Sequence, residues 1–262
     1  MRVVFSILMF VFGACFGSFL CCQARRLRRQ ETKKKPLGSR SVCPHCKKRL
    51  KWYENLPIIS WLIQNGECNY CHRKIGSAEI ISEISTAIGL CLLSTTFDPL
   101  AATPLALVTF LTTILLALAL IFLAIYDGLY GELPTVFLVI ASLFSLTLVI
   151  FNLMTVSFSV EAIIDVAIAV LILGGLYLFL YLISKGKWVG DGDWILSSII
   201  AAALGTPWLA LIALFVANFS ATIFALPTIK RNKSHKIFFG PFLVLAYILT
   251  QVLSNYGIIN LW

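Results

Sequence analysis

Residues 105–134, LALVTFLTTILLALALIFLAIYDGLYGELP, run without a charge until Asp127. That is roughly six helical turns, the length that a bilayer core about 30 Å thick asks of a spanning helix. Hydrocarbon offers the backbone no water, so the segment must satisfy its own N–H and C=O groups, which a helix does. Similar runs recur at 3–22, 79–97, 133–152, 161–184, 193–206, 208–227 and 240–260. Of 262 residues, 59% are hydrophobic and only 13% are charged, and mean hydropathy is +0.91. A soluble domain of this length has no interior large enough for that much apolar surface. The expected fold class is all-α: a polytopic membrane protein with about eight transmembrane helices and a small zinc-ribbon-like loop domain. By composition the chain divides into a first transmembrane helix (1–22), a cytoplasmic loop (23–78) and a membrane core of about seven helices (79–262). The 193–206 run is short for a full span.

Charge orients the chain. Of 21 Lys and Arg, 14 lie between Arg25 and Lys74, with further pairs and clusters at Lys185, Lys187 and Lys230–Lys236, and only Arg2 on the other side. By the positive-inside rule these loops are cytoplasmic, and eight spans then leave both termini outside. The first run is read as a retained helix rather than a signal peptide. Cleavage near Cys15 would leave the Arg25–Lys35 cluster outside, against that rule. The run RRLRRQETKKK (25–35) beside a membrane helix is expected to touch anionic lipid headgroups, not nucleic acid.

The loop carries Cys43-Pro-His-Cys46 and Cys68-Asn-Tyr-Cys71, two CxxC pairs 21 residues apart. Each turn aims two sulfurs at one ion, and two turns complete a tetrahedral shell, so a structural Zn²⁺ held by Cys43, Cys46, Cys68 and Cys71 is expected. The ion would supply folding energy that a loop of ~50 residues cannot draw from its own core. Four thiolates leave no open position for catalysis. His45 and His72 lie in or beside the knuckles, but four cysteines suffice. Disulfides do not suit a reducing cytoplasm. Cys15, Cys21, Cys22 and Cys91 lie in apolar runs and read as packing residues.

Two acids stand apart from those in loops. Asp127 ends the third run and Asp193 begins the sixth, in Gly190-Asp191-Gly192-Asp193. Span parity brings both to the cytoplasmic face at similar depth. Taken singly, each reads as a helix cap or a solvated end. As a pair flanked by glycines they read as two carboxylates sharing a proton, the arrangement of aspartic proteases. Gly190 and Gly192 would let a substrate strand approach the acids.

Several segments, in order, resemble one family. The GDGD stretch matches the GxGD signature of intramembrane aspartyl proteases. FGACFGSFLCCQARRL (12–27), YENLPIISWLIQNGECNYC (53–71), Asp127 followed by Leu133-Pro134, and FFGPFL (238–243) resemble the type IV prepilin leader peptidases in particular. The resemblance implies that Asp127 and Asp193 are the catalytic pair, with Asp191 at the variable position. It implies cleavage after a glycine that ends a short basic leader on prepilins or pseudopilins, at the cytoplasmic face of the bacterial inner membrane. It also implies N-methylation of the new amino terminus from S-adenosylmethionine in many members. Cys21 stands where the family usually has Asn, and Ala87 where glycine is usual. No GxG methyl-donor loop is seen, so a peptidase without methyl transfer is the alternative.

Two expectations go further. Asp193 near a helix start is expected to be the ionised base and Asp127 near a helix end the proton donor, because the helix dipole favours an anion only at the start. Asp191 and Glu132 are candidates for binding the basic leader against a repelling basic face. Glu83, Glu161 and Asp165 read as helix ends or interhelical partners. The rival readings are an ion- or proton-coupled transporter and a non-enzymatic scaffold. Acids at one surface rather than at the midplane, and halves without matching broken helices, count against the transporter.

Overall fold

The computed structural model describes residues 2–33, 41–43, 45–99, 103–155, 158–229 and 238–255. The basic cluster Lys230–Lys236 lies outside the described residues, as do Lys34 and Lys35. All eight apolar runs are helical: α1 (Arg2–Glu31), α3 (Ser77–Ser94), α4 (Pro104–Tyr130), α5 (Thr135–Thr155), α6–α7 (Val160–Val170 and Leu176–Ser184), α8 (Asp191–Leu204), α9 (Pro207–Ile229) and α10 (Gly240–Asn255). A short α2 (Ile59–Ile63) lies in the loop between α1 and α3. Six of these rods are long and apolar enough to cross a membrane, counting α6–α7 as one continuous helix over Val160–Ser184. The protein is thus a multi-pass helical membrane protein. The two shorter rods are α8, with 14 residues, and α10, with 16 described residues. At 1.5 Å per residue α8 spans about 21 Å, short of a full hydrocarbon core.

The described residues gather into two compact units, Met1–Ser94 and Thr95–Trp262. Packing therefore groups α3 with α1, whereas composition groups it with the later helices.

In the first unit α1 lies along α3. Gly13 and Gly17, four apart, form the contact. A Cβ at Gly13 would stand 2.7 Å from the Ala87 Cα, and one at Gly17 would stand 2.5 Å from the Ser82 carbonyl oxygen. Without side chains the two backbones close up, as small residues allow in membrane helices. The helix outruns the apolar run and continues through the Arg25–Arg29 cluster to Glu31. Arg, Gln and Glu are good helix formers, and basic residues near a C-terminus suit the dipole. Arg25 then reaches Glu79 of α3 as an ion pair.

In the second unit α4 is the centre: every residue from Leu116 to Leu123 is buried. Thr103 starts it by accepting the Ala106 N–H at 3.2 Å, with Pro104 at the first helical position. Around α4 and the shorter α8 pack α5, α6, α7 and α10. α9 turns Ala213, Ala217, Ala221 and Ala225 inward and Phe215 and Phe219 outward. Small residues inside and large apolar ones outside suit a helix whose outer face meets lipid.

Candidate active site and metal centre

The loop of the first unit builds its two knuckles alike. The Cys43 N–H donates to the Lys48 carbonyl at 2.9 Å and the Lys47 N–H to the Cys43 carbonyl at 3.0 Å. In the second knuckle the Cys68 N–H donates to Arg73 at 3.0 Å and the His72 N–H to Cys68 at 2.9 Å. Lys47 and His72, each just after the second cysteine, take the left-handed conformation at φ 60° and 53°. Isolated bridges Val42–Arg49 and Glu67–Lys74 close the two turns.

The four sulfurs lie within 4.8 Å of one another, with Cys43 Sγ and Cys71 Sγ 3.9 Å apart. Tetrahedral Zn–S bonds of about 2.3 Å require sulfurs about 3.8 Å apart, so the set fits the ion. Burial would raise the Cys43 thiol, but the backbone N–H groups of Cys46 and His45 aim at its sulfur and bring it down to about 6. At Cys71 the Arg73 N–H favours the thiolate, yet burial and the other three thiols push it up to about 11. Cys43 thus ionises readily and Cys71 resists, as expected of crowded ligands that a cation would ionise together. His45 Nδ1 sits 3.4 Å from Arg73 Nη1, outside the four-sulfur cluster.

The segment joining the knuckles is tied at two acids. Glu54 accepts the Lys51 N–H at 2.7 Å and the Asn69 side-chain amide at 2.9 Å. Glu83, buried in α3, accepts the Ile58 N–H at 2.7 Å. Ile58 has φ 64°, ψ −53°, and the Ile59 N–H bonds back to the Pro57 carbonyl at 2.6 Å. This is a γ-turn of the strained, positive-φ kind, which Glu83 holds in place. Glu83 thus anchors a loop turn and, through the Ser18 hydroxyl of α1, also bridges two helices.

In the second unit Asp127 and Asp193 line a single cavity of about 540 Å³. Both carboxylates are buried. Asp127 lies one turn before the end of α4, and its Oδ2 accepts the N–H of Gly240 at 2.8 Å. Gly240 opens α10, so this N–H is one that the helix itself leaves unused. A Cβ at Gly240 would stand 2.8 Å from that same oxygen. The glycine of FFGPFL is there because no other residue lets the backbone reach the acid.

Asp193 is the third residue of α8, and its Oδ2 accepts the Gly190 N–H at 3.0 Å. A Cβ on Gly192 would stand 2.6 Å from Leu133 Cδ1 and 2.7 Å from its Cβ. Gly192 therefore lets the head of α8 close on Leu133, which lies in the turn after Asp127. The hydrophobic-proline pair of the sequence is the wall against which the GDGD turn rests. Asp193 stands at a helix start and Asp127 at a helix end, the placement in which the dipole favours the anion at Asp193.

The cavity lining includes Asp127, Asp193 and Gly190, but neither Asp191 nor Glu132. Both of these are exposed, and Asp191 faces the Tyr181 hydroxyl. Reading the sequence missed Tyr177, Lys187, Asn218 and Phe239, which also line the cavity. Tyr177 and Asn218 sit singly in apolar runs, and nothing local marks them.

Comparison with known proteins agrees with this architecture. Residues 11–97 match the family model described as the bacterial peptidase A24 N-terminal domain. The prepilin leader peptidase/N-methyltransferase of Dichelobacter nodosus is 33% identical over 215 residues, covering 80% of this chain and 70% of the relative. That of Aeromonas hydrophila is 31% identical over 212 residues, covering 79% and 69%. That of Legionella pneumophila is 27% identical over 252 residues, covering 92% and 82%. No solved structure matches at the same significance. Identical at 31–33% of the aligned positions over most of both lengths, the chain belongs to the family of prepilin leader peptidases/N-methyltransferases.

Proposed function

We propose that the protein is a membrane aspartyl endopeptidase that removes the short basic leader of type IV prepilins or pseudopilins, cleaving after glycine, with Asp127 and Asp193 as its catalytic pair. What carries the reading is one observation: two buried carboxylates open into one cavity, each with an oxygen held by a glycine N–H. The GDGD turn supplies one of those N–H groups and the FGPFL helix start the other.

The chemistry follows the charge that each site favours. Asp193 takes a proton from water as the water oxygen bonds to the carbonyl carbon. Asp127 gives its proton to the carbonyl oxygen, forming a neutral diol. Collapse breaks the C–N bond: the diol returns one proton to Asp127, and Asp193 delivers its proton to the leaving amine. The products are a free carboxyl and a free amine, and both acids regain their starting states. Gly190, which lines the cavity, leaves room for an extended substrate backbone beside the acids, whereas the space at Gly192, expected from the sequence to serve the same end, is taken by Leu133.

In this reading the catalytic face is cytoplasmic, both termini lie outside and the membrane is the bacterial cytoplasmic one, on the strength of the charge distribution. The four cysteines hold a structural zinc, and lipid headgroups meet the Arg25–Lys35 run. The relatives' names also carry N-methyltransferase activity, for which S-adenosylmethionine would be the donor. Product mass after processing separates a peptidase that methylates from one that only cuts.

The test uses the full-length protein in detergent with a purified type IV prepilin. Asp127→Asn and Asp193→Asn are each expected to abolish cleavage while keeping membrane insertion and helical content. Wild-type cleavage by either variant refutes the pair.

A further inference from the structure

Tyr177 is almost fully buried (3% exposed) and lines the cavity that holds the two acids. Asn218 of α9 lines it too, and its Nδ2 makes two bonds: 2.8 Å to the Leu214 carbonyl oxygen and 3.0 Å to the Tyr177 hydroxyl. These two contacts fix a proton. A carbonyl oxygen only accepts, so the amide atom facing Leu214 is the nitrogen. Its second hydrogen then goes to the Tyr177 oxygen. The Tyr177 hydroxyl is thereby an acceptor from Asn218, and its own hydrogen is left over. Among the described residues that hydrogen meets no acceptor within bonding distance. That hydrogen is therefore available to the cavity that Tyr177 lines.

The rest of the local structure holds Tyr177 where it is. Leu171–Gly175 forms a single π-helical turn between α6 and α7, and such turns cluster at functional sites. The extra residue rotates the downstream side chains by about 100° around the helix axis relative to an unbroken α-helix, and Tyr177 is among the first of them. Gly174 within this turn packs so closely on Ser198 of α8 that a Cβ there would collide with the Ser198 side chain and stand 3.0 Å from its Cα. The helix bearing Asp193 and the turn that aims Tyr177 are thus locked together. On the other side the Tyr177 ring lies 5.2 Å from that of Phe239, the residue before the glycine that holds Asp127. Tyr177 is thus tied through its own helix to the helix carrying Asp193, and through Phe239 to the segment whose glycine holds Asp127.

We infer that Tyr177 donates its hydroxyl hydrogen to the carbonyl oxygen of the bond being cut, and that Asn218 is the positioning residue that leaves this hydrogen free to do so. The inference rests on the aspartyl peptidase reading and adds a third side chain to that site. Tyr177 keeps its proton throughout; it stabilises charge on the carbonyl oxygen as Asp193 activates the water, and no bond to Tyr177 is made or broken. A donor already in place and shielded from bulk water needs no rearrangement as that charge develops.

The experiment compares Tyr177→Phe, Asn218→Ala and the double variant with wild type, as full-length protein in detergent cleaving a purified prepilin. Removing one such donor lowers kcat by roughly 10²-fold, so Tyr177→Phe is expected to do so with KM changed less than about threefold. Asn218→Ala should lower kcat less, and the double variant should be no slower than Tyr177→Phe alone, because Asn218 acts through Tyr177. A purely structural role would not reproduce a second readout. A peptide with a hydroxyl-bearing, uncleavable isostere at the cut should lose affinity for Tyr177→Phe by the same factor as kcat, while a prepilin whose cleavage-site glycine is replaced should bind both proteins equally. A Tyr177→Phe kcat within threefold of wild type, or unchanged isostere affinity, overturns the inference. With Asp127→Asn and Asp193→Asn run beside it, the failures are distinguishable. Active aspartate variants sink the peptidase reading and this inference with it, whereas inactive ones beside a fully active Tyr177→Phe sink only the inference.

Discussion

Adding one methyl group at Gly240 should slow the enzyme at least tenfold while leaving it folded. The Cβ of Gly240→Ala would sit 2.8 Å from Asp127 Oδ2, 3.2 Å from its Cβ and 3.3 Å from its Cγ, where ordinary contact begins at 3.4 Å. Relief requires the acid and the start of α10 to part by about 0.6 Å, the gap between 2.8 and 3.4 Å. The N–H to Oδ2 bond, 2.8 Å in the structure, then stretches to about 3.4 Å and is essentially lost. A hydrogen bond to an uncharged carboxyl, the state assigned to Asp127, is worth about 0.5–1.5 kcal/mol, which sets the scale of the stability loss. Activity should suffer more, since displacing a catalytic group by less than an ångström costs up to roughly 10²-fold. Gly128→Ala is the control. It sits next to Asp127 on α4, and its Cβ would stand 3.8 Å from Pro241 Cγ, an ordinary contact. Prepilin cleavage and thermal unfolding of the detergent-purified proteins are measured side by side. The expected result is a 10- to 100-fold loss of kcat for Gly240→Ala with Gly128→Ala near wild type. Equal activity in the two variants would show that the glycine amide does not hold the acid.

Three further outcomes are expected. Cys43→Ser or Cys71→Ser should lose bound zinc by elemental analysis and increase proteolysis of the 41–75 loop, and wild-type protein should release zinc as falling pH protonates the thiolates. Glu54 is held below the usual carboxylate range by the Asn69 amide and then the Lys51 N–H. Its folded pKa lies below its unfolded one, so its contribution is full above the unfolded value near ~4.3 and disappears as pH falls through the folded value. Protection of the Lys51 amide, its exchange rate relative to the intrinsic rate at the same pH, should therefore fall on acidification in wild type and be absent throughout in Glu54→Ala; indifference to both would remove Glu54 as the tie. Neutralising Asp191 and Glu132 together should raise KM for lysine-rich leaders and leave kcat alone, and kinetics identical to wild type would dispose of a leader-binding role for these exposed acids.

What the sequence made legible was whatever contrasts with its surroundings. Uncharged runs stand out against basic loops, so the membrane helices could be read from composition; only α1 ran well past its apolar stretch, because hydropathy says nothing about the helix propensity of Arg, Gln and Glu. Paired cysteines at a fixed interval stand out, and the structure gathers all four. The aspartates stand out because a carboxylate at the edge of an apolar helix is expensive and therefore rare. Their glycines were legible only as part of a motif. That Gly192 admits Leu133, and that Gly240 admits Asp127 itself, depends on which backbones meet, and no local pattern encodes it. Gly13 and Gly17 stand at the spacing that packs membrane helices, yet their partners, Ala87 and Ser82, lie some 70 residues on.

Tyr177 marks the limit of such reading, for a physical reason. A tyrosine contributes a large apolar ring with one hydroxyl, so within Leu176–Ser184 it scarcely disturbs the hydropathy of the run. Its significance comes from an extra residue in the preceding turn and from an amide on another helix that uses up the acceptor half of its hydroxyl. The π turn is equally silent: Leu-Ile-Leu-Gly-Gly differs from its neighbours only in the glycines, and these read as easily as membrane packing sites. A charge inside a membrane announces itself because burying it is costly. A hydroxyl costs little until the fold takes away its partner, so the groups that assist the acids have to be found by following hydrogen-bond donors in three dimensions.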